Sequence, residues 1–327
     1  MNVALVYGGY TSEAGVSARS KDGLMKMMDR KKHNIVPVNI TTTSWIAEPE
    51  GEAMQPINRD DFSYINEKGE KIEFACAYIT IHGNPGENGQ LGGYFEMIGM
   101  PYSTCPSITS AMTYDKFICN TFLRGLGVNL AKSIMVESVN QMEASDIVRE
   151  VGLPCFIKPA AGGSSFGVTK VKSENEIVPA IQKALNESPW VLIESLLTGT
   201  EVTCGLYKTK RGTVIFPLTE VVSENEFFDY EAKYTPGKAQ EITPARVSDE
   251  VRDKVWATAS RIYDLMHMRG IVRIDFIIRE DGEPFMLEVN TTPGMTLTSF
   301  IPQQIKAAGM KTEDVFNDVI DELVSDK

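Results

Sequence analysis

Short apolar runs separated by polar loops dominate the first hundred positions. "VALVY" (3–7) reads as a strand and leads into the loop "GGYTSEAGVS" (8–17). Leu24, Met27 and Met28 then give a helical stripe, and "IVPVNI" (35–40) and "FACAYITI" (74–81) are two further strands, the last ending at "HGNPGENG". Strands alternating with helices predict an open parallel sheet, with ligands beyond the carboxyl ends of its strands. The stretch 41–73 is polar and poorly periodic, and no element is assigned to it.

From about residue 105 the pattern becomes α+β. A helix is expected over 108–124, ending at Gly125, and another over about 138–151. "PCFIKP" and "GVTKV" (167–171) are strands on either side of a Gly/Ser loop. Ser173 and Glu176 form a capping box before a helix carrying Ile177, Ile181, Ala184 and Leu185. "WVLIE" (190–194), "EVTCGLY" and "TVIFPLTEVV" are strands. Residues 223–247 are long, polar and aperiodic, the signature of a functional loop such as a lid. Ser248 begins a helix with Val251, Val255, Ile262 and Met266 on one stripe, ended by Gly270. The last helix covers about 312–325. The expected units are 1–104, an open α/β domain, then 105–193 and 194–327.

The hairpin before that last helix carries the sharpest chemical signal. Asp281-Gly282 separates "RIDFII" from "FMLEVN", a strong hairpin signature. With those two residues as the loop, Asp275 falls opposite Glu288 and Arg273 opposite Asn290. Opposed residues have Cβ atoms roughly 4.5–5.5 Å apart, and like charges there repel. A divalent cation relieves that repulsion, and Mg²⁺ favours a few carboxylate oxygens plus phosphates. A hairpin that turns its acids to water is the plainer alternative.

Composition narrows the class. The chain has 327 residues, a formal charge of −12, five scattered cysteines and three histidines. The charge argues against a general binder of nucleic acid or anionic membranes. The odd cysteine count without C-x-x-C reads as buried thiols in a reducing compartment. The immediate strand at the start gives no signal-peptide pattern, and no apolar run approaches the roughly 20 residues of a membrane span. A cytoplasmic location is expected.

Other loops suggest nucleotide chemistry. Lys158 ends a strand before Gly162-Gly163-Ser164-Ser165-Phe166-Gly167, a Gly-rich hairpin whose N–H groups and hydroxyls suit phosphates. It lacks Gly-Lys-Ser/Thr, so it is not a Walker loop. "GGYTSEAGVS" is not G-x-G-x-x-G, which argues against a nicotinamide-dependent dehydrogenase.

Together these segments resemble the D-alanine–D-alanine ligase family of the ATP-grasp superfamily. In the family's order stand "GGYTSEAGVS", "HGNPGENG", "TYDK", "IKPAAGGSSFGV", "FFDYEAKY", "RIDF" and "LEVNTTPGMT". The resemblance implies an α/β architecture: an ATP-grasp fold preceded by a Rossmann-like domain. It implies that Lys116, Lys158, Ser164, Ser165 and Lys233 hold ATP phosphates. Glu194, the Leu196-Leu197 backbone and Glu201 would take adenine and ribose. Asp275, Glu288 and Asn290 would bind two Mg²⁺ or Mn²⁺ ions. Glu13 would receive the ammonium of the first D-alanine, linked to Ser164 and Tyr234, and Arg273 with the Gly294 N–H would stabilise the oxyanion. His82, Lys233 and Ser299 would help hold substrate. A homodimer is implied by the same likeness.

Tyr234, in "EAKY", favours an amine over D-lactate as second nucleophile, since depsipeptide-forming members tend to carry His there. Departures are Asn88 for Asp, Gly92 for Gln, Ser195 for Lys, and Ala160-Ala161-Gly162 in the lid. The alternatives are a D-alanyl-D-lactate or D-alanyl-D-serine ligase, or an ATP-binding module without catalysis.

Overall fold

A computed structural model describes residues 1–162, 167–223 and 239–325. The first sheet is built on strand β1 (Asn2–Gly8), which pairs in parallel with β2 (Asn34–Ile40) and with β7 (Cys76–Ile79). Helix α1 (Ala14–Met27) crosses between β1 and β2 and buries Leu24 and Met27, as the stripe requires. The sheet is parallel only at this core. Strands β3 (Trp45–Ala47) and β4 (Gln55–Pro56) extend it antiparallel beyond β2, and β5 (Tyr64–Ile65) with β6 (Lys71–Ile72) forms a separate ribbon. All four lie in the stretch to which the sequence assigned nothing. Strands of two or three residues carry no period; aromatic packing orders this segment. Phe62 is fully buried with its ring centroid 4.8 Å from that of Phe95, and Trp45 lies 5.1 Å from Tyr94, both edge-to-face.

Helix α2 (Gln90–Met97) follows, and then the expected helix over 108–124 divides in two. Asp115 leaves helical geometry (φ −90°, ψ 106°) between α3 (Ser107–Tyr114) and α4 (Lys116–Gly125). Its carboxylate accepts from the Phe117 and Ile118 N–H groups at 2.9 and 3.0 Å, capping α4. The break makes Lys116 the first residue of a helix, and its N–H donates to Ala160 O.

A four-stranded antiparallel sheet runs β10 (Thr169–Val171), β9 (Cys155–Pro159), β11 (Val191–Ser195), β8 (Ser133–Val136). Helices α5 (Ala144–Val151) and α6 (Ile177–Leu185) cover it through Ile147, Ile181 and Ile193. The Ser173–Glu176 box is altered: Glu176 reaches the Ser173 hydroxyl and the Lys172 N–H, and a turn of 3-10 helix precedes α6.

The third sheet has the order β15 (Ala239–Ile242), β14 (Thr219–Ser223), β12 (Thr200–Thr209), β16 (Val272–Ile278), β17 (Pro284–Asn290), with β13 (Gly212–Ile215) on β12. Strand β15 lies inside the stretch expected to be aperiodic; its pairing with β14 orders it. Helix α7 (Asp249–Leu265) packs on one face with Val202, Cys204 and Ile274. It stops before His267, which takes φ 49°, short of the expected Gly270. Helices α8 (Phe300–Ala307) and α9 (Thr312–Val324) cover the other face. Their core is shared with the first sheet: Val3, Leu5 and Tyr78 pack with Phe216, Ile301 and Phe316. Burying a side chain such as Phe316 stabilises by roughly 1.5–3 kcal/mol, so this apolar seam holds the first sheet to the third. No helix among the described residues is long and apolar enough to cross a membrane.

Candidate active site

Strands β16 and β17 place four polar side chains together. Asp275 pairs with Glu288 and Arg273 with Asn290, as counted from the sequence, but by a different route. The turn holds three residues: the Arg279 N–H donates to Glu283 O at 3.1 Å, and Gly282 takes φ 78°. Phe276 consequently pairs with Met286, and Leu287 is an extra residue that restores the expected register at Glu288. The longer turn and the bulge cancel.

On this face Arg273 donates from Nε and Nη2 to Asp275, both at 2.9 Å, and Nη2 lies 3.6 Å from Glu288. Burial disfavours the guanidinium charge, but Asp275, then Glu288 and Glu87, outweigh it and hold the Arg273 pKa above the ordinary arginine value. The Asn290 Nδ2 stands 3.3 Å from Asp275 Oδ2 and 3.4 Å from Glu288 Oε1, so three side chains converge on one point. Among the described residues no three His, Cys, Asp or Glu gather in a metal-holding group; this set includes an amide. Next in the chain, the Thr291 hydroxyl is buried without a partner.

Lys116 and Lys158 approach from α4 and β9. The Lys116 ammonium donates to Gly162 O at 2.5 Å. Burial lowers its pKa and Lys158 adds to this, against Glu288, Glu87 and Glu194. Lys158 pairs with Glu194, diagonal to it on β11, and Asn120 Nδ2 donates to the same carboxylate at 2.7 Å. The Leu196 N–H donates to Pro154 O, Leu197 is half-buried, and Glu201 lies in β12.

The amino-terminal part closes the site. Glu13 precedes α1, and a Cβ at Gly83 would stand 3.1 Å from its Oε2; Gly83 itself takes φ 68°. His82 is buried, with Nε2 3.3 Å from Ser20 Oγ, which also accepts from the Met295 N–H at 3.3 Å. The ring also bonds the Thr292 backbone. Ser299 Oγ accepts from the Thr296 N–H at 3.0 Å and would lie 3.0 Å from a Cβ on Gly294. Ser164, Ser165, Lys233 and Tyr234 lie outside the described residues.

Two residues in the site were not singled out from the sequence. Glu87, half-buried, accepts from the Gly83 N–H at 2.9 Å and feels Glu13, Glu288 and Lys116. It stands in "GENG", next to Asn88. Asn120 lies one helical turn after Lys116 and could have been found by that spacing.

Residues 2–105 match the family model for the D-Ala–D-Ala ligase N-terminus, and residues 122–324 that for its C-terminus. The chain is 51% identical over 320 residues to a D-alanine–D-alanine ligase of Bacteroides fragilis, covering 98% of each, and 46% identical to one of Flavobacterium johnsoniae. Among solved structures it resembles a D-Ala:D-Ser ligase from Enterococcus faecalis (27% identity, TM-score 0.86, 99% and 98% covered). It also resembles a D-alanine–D-alanine ligase from Bacillus anthracis complexed with ATP (25% identity, TM-score 0.77, 99% and 98% covered). Matched in both halves and half identical to such enzymes along its length, this chain belongs to the D-alanine–D-alanine ligase family.

Proposed function

We propose that this chain joins two D-alanine molecules into D-alanyl-D-alanine, converting ATP to ADP and phosphate and supplying a peptidoglycan precursor in the cytoplasm. The observation that carries the reading is Arg273 bound to Asp275 beside Glu288 and Asn290, in a chain half identical throughout to a D-alanine–D-alanine ligase.

Glu13 receives the ammonium of the first D-alanine, and His82, held neutral, lines the same end. The carboxylate of that D-alanine attacks the γ-phosphorus of ATP, giving an acyl phosphate and ADP. Both reactants are anionic, so Lys116 and Lys158 must offset their repulsion; Lys158 exchanges Glu194 for phosphate. Glu194, Glu201 and the Leu197 backbone hold the adenosine, with Leu196 fixing the turn. The amine of the second D-alanine, its carboxylate near Ser299, then attacks the acyl carbon. Arg273 and the Gly294 N–H stabilise the tetrahedral oxyanion, and inorganic phosphate leaves. One such donor is worth about 2.7–4 kcal/mol of barrier.

Asp275, Glu288 and Asn290 fit Mg²⁺ or Mn²⁺. Their oxygens are hard donors, and a half-turn of the Asn290 amide replaces Nδ2 with Oδ1 at the point of convergence. When bound, the ions neutralise phosphate charge. Ser164, Ser165, Lys233 and Tyr234 complete the lid and the phosphate site, excluding water from the acyl phosphate. The units 1–104, 105–193 and 194–327 hold ATP between the second and third, and the protein is a homodimer. Arg273→Ala tests the central role: it should stop dipeptide formation while sparing ATP binding, and lost ATP binding would overturn the assignment.

A further inference from the structure

Arg273 is held from two directions. On one edge its Nε and Nη2 donate to Asp275. From another side, the guanidinium carbon lies over the Phe300 ring, 5.3 Å from its centroid. Phe300 opens α8 and is half-buried. It belongs to none of the four apolar clusters found among the described residues, so its ring does not fill a core.

The helix is pressed onto the sheet at this point. Gly205 pairs with Arg273 across β12 and β16. A Cβ on Gly205 would lie 2.4 Å from both Gln304 Oε1 and Ile301 Cδ1, so a side chain there would displace the two side chains that seat α8 on the sheet. Gln304 is fully buried and fixes the approach: it accepts from the Gly205 N–H at 3.1 Å and donates to Thr203 O and Thr219 Oγ1 at 3.0 and 3.1 Å. Phe300 is therefore set rigidly over Arg273.

We infer that Phe300 is a positioning residue for the ligation. A cation is attracted to the face of an aromatic ring, and a guanidinium donates only in its own plane. The ring therefore limits how far the Arg273 donors can turn out of their plane on that side. Asp275 occupies one edge of that plane, which leaves Nη1 directed away from it. Without the ring the guanidinium can rotate toward Glu288, whose carboxylate already stands 3.6 Å from Nη2. The inference rests on the reading that Arg273 stabilises the oxyanion.

A double-mutant cycle tests it, with ADP release measured for the full chain and Phe300→Leu, Phe300→Tyr, Arg273→Lys and Arg273→Lys/Phe300→Leu. Phe300→Leu should lower kcat about three- to thirtyfold, with the KM for ATP and the melting temperature unchanged. Phe300→Tyr, which keeps the ring face, should restore most of the rate. In the Arg273→Lys background, removing the ring should have no further effect. An equal loss from Phe300→Leu in both backgrounds would overturn the inference and leave the role of Arg273 standing, and so would a fully active Phe300→Leu. Full activity in Arg273→Lys would instead overturn the oxyanion reading, and this inference with it. Should leucine lower the melting temperature, Phe300→Met gives the same comparison at closer volume.

Discussion

Asp275 lies directly opposite Glu288 in the β16–β17 ladder, with Arg273 2.9 Å from the first carboxylate and 3.6 Å from the second. One arginine thus shares two acids that would otherwise repel. Glu288→Gln keeps the shape and removes one charge. Turnover is expected to fall about 100-fold or more, since charge stabilisation by a bound metal is worth several kcal/mol. The Mg²⁺ needed for half-maximal rate should also rise. Phosphate release titrated against Mg²⁺ measures both, and near-normal activity would remove Glu288 from the proposed metal site.

Gly23 lets α1 rest on the loop after β17. A Cβ there would stand 2.2 Å from Met295 O. Alanine gains about 1 kcal/mol of helix propensity over glycine, but the clash is with backbone, and overpacking costs about 1–3 kcal/mol. Gly23→Ala should therefore be net destabilising in urea and should lower kcat by displacing Gly294. Unchanged stability with full activity would mean that α1 does not position this loop.

Two groups at the site tie stability to pH in opposite senses. Burial, then Arg273, holds the His82 pKa down to about 4, from 6.5. Burial pushes Glu87 up to about 7 from 4.5; Glu13 and Glu288 add to this against the Gly83 N–H. The contribution of His82 is complete above its unfolded value and is lost as pH falls toward 4. That of Glu87 is complete below its unfolded value and is lost as pH rises through 7. Each can change stability by at most about 1.4 kcal/mol per pH unit, and between the two unfolded values they oppose. His82→Gln should expose a gain in melting temperature on acidification through that interval, and Glu87→Gln should steepen the loss. Parallel profiles for both variants and the parent would contradict these environments.

Much of the site was legible because it rests on local patterns. Arg273, Asp275, Glu288 and Asn290 share a face by strand period, and the Asp-Gly pair announces the turn. The count gave the right pairs although the turn is one residue longer, since Leu287 bulges to compensate. Nothing local reveals such a bulge. The helix break at Asp115 was hidden because "SAMTYDKFICN" is helical throughout by pattern; the bridge from Asp115 to Ala161 decides it. The strands between 41 and 73 depend on Phe62, Phe95 and Trp45 meeting from distant positions. Glu87 gains its meaning only when Glu13 and Glu288 close around it.

The most direct measurement is phosphate release from Mg-ATP with D-alanine, L-alanine, or D-alanine plus D-serine or D-lactate, with products identified by mass. One phosphate for each D-alanyl-D-alanine, and none with L-alanine, is the expected result. Phosphate without dipeptide, a mixed product in preference to the dipeptide, or no D-alanine-dependent phosphate from protein that binds ATP would contradict the account.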